Sequence, residues 1–369
     1  MRANNILGIL FSNSYDDALP ELTGLRTMGS VPFGCRYRLI DFPLSSMVNA
    51  GISKVGVVTK SNYRSLMDHL GNGKPWDLSR KHEGLLLLPP FVGVGSGGNQ
   101  TRLEGLCSAM EFLRNSKEEY VVMSDCNLVC NLDYHELLRR HQESGAELSI
   151  ACKRGKAPAL RSMRFAMDQN SRITDITLGK EPGEDQLYSL NIFFLRKAVL
   201  ERLIQLAQTS GDSSFFTTIQ KNLASLQVHG MQVAGYARII DSMQSYYDVN
   251  MELLLPENRE AVFQADRPVL TKVQDDMPAV YGLHSYVQNS LVADGCQIRG
   301  GAENCVLFRN VRIEPGAVVR SCILMQNTCI SADATLSNVI ADKGVIIKPG
   351  KTLMGAENYP IYLGKKIVV

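Results

Sequence analysis

The chain of 369 residues is 45% apolar and 21% charged, close to the averages of soluble globular proteins, which excludes a disordered chain, a fibre and a small disulfide-stapled domain. Its length suits two ordinary domains, or one large domain with an appendage. With 39 Lys and Arg against 37 Asp and Glu, the net charge of +2 argues for neither a nucleic-acid-binding stripe nor a polybasic membrane anchor. The greasiest run, Leu85–Val92, carries two prolines and falls far short of a membrane span. The opening MRANNILGIL holds one arginine and no apolar core with a cleavage site, so no signal peptide is expected. Nine cysteines without paired spacings fit reduced thiols in a cytoplasm.

In chain order, short apolar runs alternate with amphipathic stretches through residue 255. Ile6–Phe11, Lys54–Thr59, Tyr120–Ser124, Glu147–Cys152 and Leu190–Leu195 read as buried strands. Ser45–Ala50, Glu104–Arg114, Asp133–Glu143, Lys197–Gln208 and Gln244–Leu255 read as helices. This alternation predicts an α/β domain over 1–255 with a mostly parallel sheet covered on both faces. Ligands of such sheets sit at the carboxyl ends of the strands, so the loop after the first strand is where to look.

Past Pro256 the helical pattern fades, and 256–283 reads as a linker. From 284 to 369 a repeat takes over. Cys305–Ser321, Cys322–Asn338 and Val339–Gly355 align with a period of 17 residues. Val306, Ile323 and Ile340 share one column, and Ile313, Ile330 and Ile347 another, each of the latter followed by a turn-forming tetrad. A shorter coil, Ser290–Asn304, precedes them. Aliphatics six or seven apart at a fixed period describe a parallel β-helix, whose hand the pattern leaves open.

The run from Val31 to Ile52, VPFGCRYRLIDFPLSSMVNAGI, resembles the N-terminal signature of ADP-glucose pyrophosphorylases. Trp76-Asp-Leu with Leu88-Pro-Pro90, Asn131-Leu-Asp-Tyr134, Gly235-Tyr236 and Tyr246–Leu254 resemble that family too, so the likeness covers nearly the whole chain. It implies a Rossmann-like (GT-A-like) nucleotidyltransferase domain followed by a left-handed β-helix. It also implies glycogen synthesis, in which ATP and glucose 1-phosphate give ADP-glucose and pyrophosphate. Within the family the chain resembles the GlgD-type subunit, which accompanies a catalytic GlgC-type subunit in a hetero-tetramer.

Nucleotidyl transfer must neutralise about four negative charges on a bent triphosphate, which calls for carboxylate-held magnesium, basic side chains and glycine-loop N–H groups. Against the pattern of active relatives, the three loop glycines are Asn13, Ser14 and Asp16, and the loop arginine is Ala18. The lysine position is Met28, which cannot donate to phosphate. The two metal-carboxylate positions are Asn127 and Ile239. Asp16 and Asp17 add negative charge, and a carboxylate–phosphate contact near 4 Å repels by about 4 kcal/mol at an effective dielectric near 20. The expectation is a catalytically degenerate regulatory subunit that requires no cofactor and activates its partner. The alternative is an active sugar-phosphate nucleotidyltransferase whose magnesium ligands have shifted to Asp125 and Asp241.

Arg26, Arg36 and Arg38 are candidates for gripping a sugar-phosphate or other anionic effector, since two guanidinium groups on one strand face hold an anion bidentately. Surface salt bridges at a subunit contact are the equal alternative. Gly105, Lys180 and Glu181 are candidates for a residual substrate pocket by partial likeness to base- and sugar-phosphate-binding segments. Gly93–Gly98 matches Gly-x-Gly-x-x-Gly but lacks the strand–helix context of a dinucleotide fingerprint, and reads as a flexible loop. Asp41 reads as a helix-terminal acid. Cys126 with Cys130, and His135 with His141, lack the companions of a zinc site. A β-helix acyltransferase would want a histidine at a coil interface, and His284 precedes the first coil. Homo-oligomers of the chain alone stay open.

Overall fold

The computed structural model describes residues 5–80, 83–89, 102–158, 162–179, 183–212 and 214–369. Gly84–Leu88, Lys54–Val58, Ile6–Phe11 and Tyr120–Asp125 lie side by side in that order, all parallel. Beyond them Gly183–Arg196 runs antiparallel to Tyr120–Asp125 and leads on to Ser162–Met167 and Ile173–Gly179. Leu148–Ala157 also pairs with Gly183–Arg196 and takes Val228–Gln232 as a parallel neighbour. All six residues of Ile6–Phe11 and of Tyr120–Asp125 are buried, which is why these strands read as unbroken apolar runs rather than alternating ones.

Two apolar layers sandwich the sheet. One gathers Leu10, Met47, Val55, Trp76 and Phe194, the other Ile9, Phe112, Met123, Phe193 and Leu203. Small residues let the helices lie close. A Cβ on Gly56 would stand 2.7 Å from the Phe112 ring, and one on Gly8 the same distance from Met47 Sδ. The expected helix over 104–114 is broken at Ala109 into Arg102–Ser108 and Met110–Arg114. Asp133–Glu143 appears as Tyr134–Ser144, with the Asp133 carboxylate accepting from Glu136 N as N-cap and Gly145 closing it in the left-handed region.

Three five-stranded parallel sheets then wind into the β-helix. The columns hold: Val306 faces Ile323 and Ile323 faces Ile340, while Ile298, Ile313, Ile330 and Ile347 stack in another face. The corners recur as strictly. Asn304, Ser321 and Asn338 share positive φ, as do Asn310 and Asn327, a backbone state that Asn tolerates better than most residues. The first coil already begins with Val280–Tyr281, ahead of position 284, and a short helix Pro256–Val262 opens the connecting segment. An α/β domain and a parallel β-helix form the two parts of the described chain.

One flank of the β-helix seals onto the α/β domain. Phe308, Ile323, Met325 and Ile340 join Phe33, Phe42, Tyr246 and Leu253 in a shared core. Tyr247 Oη donates to Ser321 O at 2.9 Å, and Tyr362 Oη donates to Glu21 O at 2.8 Å.

Candidate active site

The loop after Ile6–Phe11 lies at the carboxyl end of the parallel strands, where the topology puts a ligand. Its side chains fill that place. Asn13 Nδ2 donates to Asp16 Oδ2 (2.6 Å) and to Ser61 O (3.2 Å), while Asn13 Oδ1 accepts from Lys60 N (2.8 Å). Asp16 Oδ1 accepts from Met28 N at 2.7 Å, and Asp16 O from Thr23 Oγ1. Tyr15, at φ 66°, takes a hydrogen bond on its hydroxyl from Asn191 Nδ2 at 3.0 Å. A phosphate-binding loop keeps its N–H groups pointing at the ligand. Here Lys60 N and Met28 N are already spent on side-chain oxygens of the same loop.

Burial pushes the Asp16 carboxyl up to about 6, against the opposing pull of its bonds from Asn13 and Met28 and of the Lys60 charge. Burial likewise depresses the Lys60 ammonium, although Asp16, Asp17, Glu104 and Asp125 all act to raise it. Met28 is fully buried and packs into the core shared with the β-helix, so this position, which the resemblance matches to a phosphate-binding lysine, serves packing.

Asn127 is buried, and its Nδ2 donates to Ile240 O at 3.0 Å while Ile240 N donates to Asn127 O at 2.7 Å. Ile239 pairs opposite Leu128 in the ladder of Leu128–Cys130 with Ala237–Ile239. The two positions that the resemblance matches to metal carboxylates therefore belong to one antiparallel strand contact. Asp125, opposite Phe11 in the sheet, is wholly buried and ion-paired to Arg102, whose guanidinium lies over the rings of Phe11 and Phe193 at 5.4 and 5.2 Å. Burial alone would lower Arg102, but Asp125 and Tyr15 beside it outweigh that and hold it above the usual arginine range. Asp241 is buried, with its backbone N–H donating to Ser245 Oγ at 2.9 Å at the capping box of Met243–Glu252. A magnesium ion needs several hard oxygens with room for water. With an amide bound to backbone, an isoleucine, and a carboxylate carrying a guanidinium, Asp241 is the one further carboxylate at these positions, too few hard oxygens for such an ion. Among the described residues no group of three or more His, Cys, Asp or Glu is placed to hold a metal.

Lys180 and Glu181 lie outside the described residues, as does Gly93–Gly98. Gly105 sits within Arg102–Ser108, where a Cβ would come 2.9 Å from Val58 Cγ1, so helix–strand packing accounts for it. Asp41 opens its helix, as expected of a helix-terminal acid, and also binds His69 Nε2 and Thr271 Oγ1, each at 2.6 Å.

The three arginines part company. Arg26 is buried and gives its guanidinium to Asp342 of the β-helix at 2.6 Å. Arg38 Nη1 donates to Ser65 O and Oγ at 2.7 Å. Arg36 is exposed, lies outside the short strand Tyr37–Arg38, and sits 5.8 Å from the Tyr37 ring. The pairing of Arg36 with Arg38 on one strand face is thus replaced by a different grouping. Lys343 is half-buried and pushed down to about 7 by burial, then by the charges of Arg38 and Arg26, with Asp342 opposing. Burial lowers Arg38 to about 10, with Arg26 adding to it. Lys343 was not legible in the sequence, because only the docking of the β-helix brings it to Arg38.

A doubly covered sheet joined to a hexapeptide-type β-helix is the architecture of nucleotidyl transferases that carry a hexapeptide domain. The nucleotidyl transferase family model matches residues 18–254, and the GlmU-like C-terminal hexapeptide model matches 277–358. The chain is 35% identical over 365 residues to the glycogen biosynthesis protein GlgD of Bacillus subtilis (strain 168), covering 99% of this chain and 97% of that protein. It is 36% identical over 320 residues to the same-named protein of Geobacillus stearothermophilus, covering 86% and 83%. It is 31% identical over 327 residues to the glucose-1-phosphate adenylyltransferase of Thermotoga maritima, covering 86% and 76%. The chain belongs to the nucleotidyl transferase family, in the group formed by GlgD proteins and glucose-1-phosphate adenylyltransferases.

Proposed function

We propose that this chain acts in glycogen biosynthesis as a catalytically degenerate, regulatory subunit of glucose-1-phosphate adenylyltransferase, raising the activity of a catalytic GlgC-type partner in a hetero-tetramer. The observation that carries the reading is the self-satisfied loop. Asn13 and Asp16 take the N–H groups that a triphosphate would use, and Arg102 neutralises the buried carboxylate of Asp125 at the end of a neighbouring strand. The full-length likeness to two proteins named for glycogen biosynthesis supports the pathway. Activation requires only that association favour the partner's active conformation. A coupling of about 1–3 kcal/mol changes activity by roughly 5–150-fold.

The test is pyrophosphate release from ATP, glucose 1-phosphate and magnesium. The chain alone is expected to be silent, and to stimulate the partner when mixed with it. Turnover by the isolated chain, abolished by Asp125→Asn or Asp241→Asn, would establish the active alternative instead. Co-purification with no change in the partner's kinetics would refute the regulatory role.

The same reading takes Arg38 and Lys343 as the anchor for an anionic effector, with Arg26 behind them as a fixed tie. The expected result is proton uptake on titrating phosphate or a sugar phosphate at pH 7–8, since an anion beside Lys343 restores its charge. Unchanged affinity in Lys343→Met would remove this site.

A further inference from the structure

Tyr120–Asp125 lies between Ile6–Phe11 on one side and Gly183–Arg196 on the other. Tyr15 belongs to the loop that follows Ile6–Phe11, and its hydroxyl accepts from Asn191 Nδ2, on the far strand, at 3.0 Å. The contact therefore crosses the carboxyl end of the middle strand, where a ligand of such a sheet sits.

Both ends of the crossing are held in unusual backbone. Among the described residues Tyr15 (φ 66°) is the one aromatic with positive φ, and Asn191 (φ 57°) shares the left-handed region. Asn191 stands on a bulge: Ser189 pairs with Cys152 and Ile192 with Ala151, leaving Leu190 and Asn191 without opposite residues. Asn191 N donates to Ser189 Oγ at 2.9 Å, which fixes the bulge. Bulges beside active sites re-aim a side chain, and left-handed backbone in a bulky residue persists only where its surroundings enforce it. The Arg102–Asp125 ion pair lies at the same strand end. Arg102 Nε and Asp125 Oδ1 are buried without a hydrogen-bond partner among the described residues. Buried polar atoms of native structures as a rule meet one.

We infer that Tyr15 is an autoinhibitory bar: latched to Asn191, it stands in the ligand position of the sheet and holds the site shut over Arg102 and Asp125. The bar presupposes the reading of this site as a degenerate nucleotidyltransferase site, and adds the residue that closes it. Asn13 and Asp16 fix the loop to itself, whereas Tyr15 carries it across to the neighbouring strand. One neutral hydrogen bond between two strained residues is a weak latch. The apparent affinity of a ligand is then reduced by the fraction of molecules in which the bar is open. An unmet donor beside an unmet acceptor suits a hydroxyl group, which gives and takes a hydrogen bond at once. The open site therefore fits a sugar phosphate, while the spent N–H groups of Met28 and Lys60 still exclude a triphosphate.

The experiment is calorimetric titration of the full chain, without magnesium or partner, with glucose 1-phosphate, ATP and p-cresol, the tyrosine side chain as a free molecule. Glycine suits positive φ, so Tyr15→Gly and Asn191→Gly relieve backbone strain rather than add it, and thermal unfolding checks that each folds. Tyr15→Gly is expected to take up one p-cresol and to bind glucose 1-phosphate about 10-fold or more tightly than wild type. Asn191→Gly loosens the ring but keeps it, and should gain affinity for glucose 1-phosphate without binding p-cresol. ATP should gain in neither. Equal affinity for glucose 1-phosphate in wild type and both variants would overturn the bar, as would p-cresol binding wild type as well as Tyr15→Gly. An equal gain for ATP would overturn the assignment of the open site to a sugar phosphate. Each comparison is between variants of one chain, so the result stands whether or not the chain stimulates a partner in the pyrophosphate assay.

Discussion

The β-helix and the loop at Asn13–Met28 use the same backbone chemistry to opposite ends. Along the face from Ile298 to Ile347 each stacked aliphatic of the β-helix repeats 15 or 17 residues later, so each coil there restates the one before. In the loop nothing repeats: local bonds from Asn13 to Asp16 and from Met28 to Asp16 stand beside contacts that reach across the chain, Asn13 to Ser61, Tyr15 to Asn191 and Arg26 to Asp342. The repeat spreads stability over many equivalent, replaceable contacts. The loop and the tie behind it concentrate stability in a few buried polar groups, where losing one partner strands the other.

This contrast would break first at Arg26. Arg26→Ala takes the ion-pair partner from the buried Asp342 carboxylate, which keeps bonds from the Tyr362 hydroxyl and Lys343 N, and should cost about 3–5 kcal/mol in urea unfolding. Asp342→Ala added to it should recover part of that loss in a double-mutant cycle, whereas additivity would mean that the pair is not coupled. Ile313→Val, one member of an equivalent stack, should cost only about 0.5–1.5 kcal/mol by the same measurement. A larger cost than for Arg26→Ala would reverse the comparison.

The next test uses pH. Asp16 titrates in the folded chain near 6, above its unfolded value of 3.8, so its contribution to stability is present in full below about pH 3.8 and is lost as pH rises through about 6. Asp16→Asn should therefore change the slope of stability against pH between 4 and 6 and leave the slope above 7 unaltered, as read from denaturant midpoints. Identical slopes would mean that this carboxyl is not shifted. The smallest effect is expected at Lys343. Its folded value near 7 lies below the unfolded 10.5, so its contribution is present above pH 10.5 and is lost as pH falls through about 7. Lys343→Met should raise Tm by about 1–3 °C at pH 7. The gain should vanish above pH 10.5.

Much of this protein was legible before folding. The strand Ile6–Phe11 was read to the residue, and the columns through Val306 and Ile313 gave the β-helix register, because burial on both faces or a fixed period writes itself into the apolar pattern. The departures at Asn13, Asp16, Met28, Asn127 and Ile239 were legible only against the resemblance. What these residues do instead was not. Arg102 had no signal at all: its pairing with Asp125 joins positions 23 apart across a loop and a strand. The antiparallel half of the sheet was also missed in part, since Ser162–Met167 and Ile173–Gly179 alternate irregularly between buried and exposed positions.

The amino-acid sequence by itself determined the two-part architecture, because it rests on periodicity along a local stretch, while the departures in the loop after the first strand could be read only against the family resemblance. Only the tertiary structure decided that the loop satisfies itself, that Arg26 ties the two domains, and that Lys343 lies within the electrostatic reach of Arg38. Those outcomes depend on which distant groups share a low-dielectric space, and spacing along a chain carries no record of that.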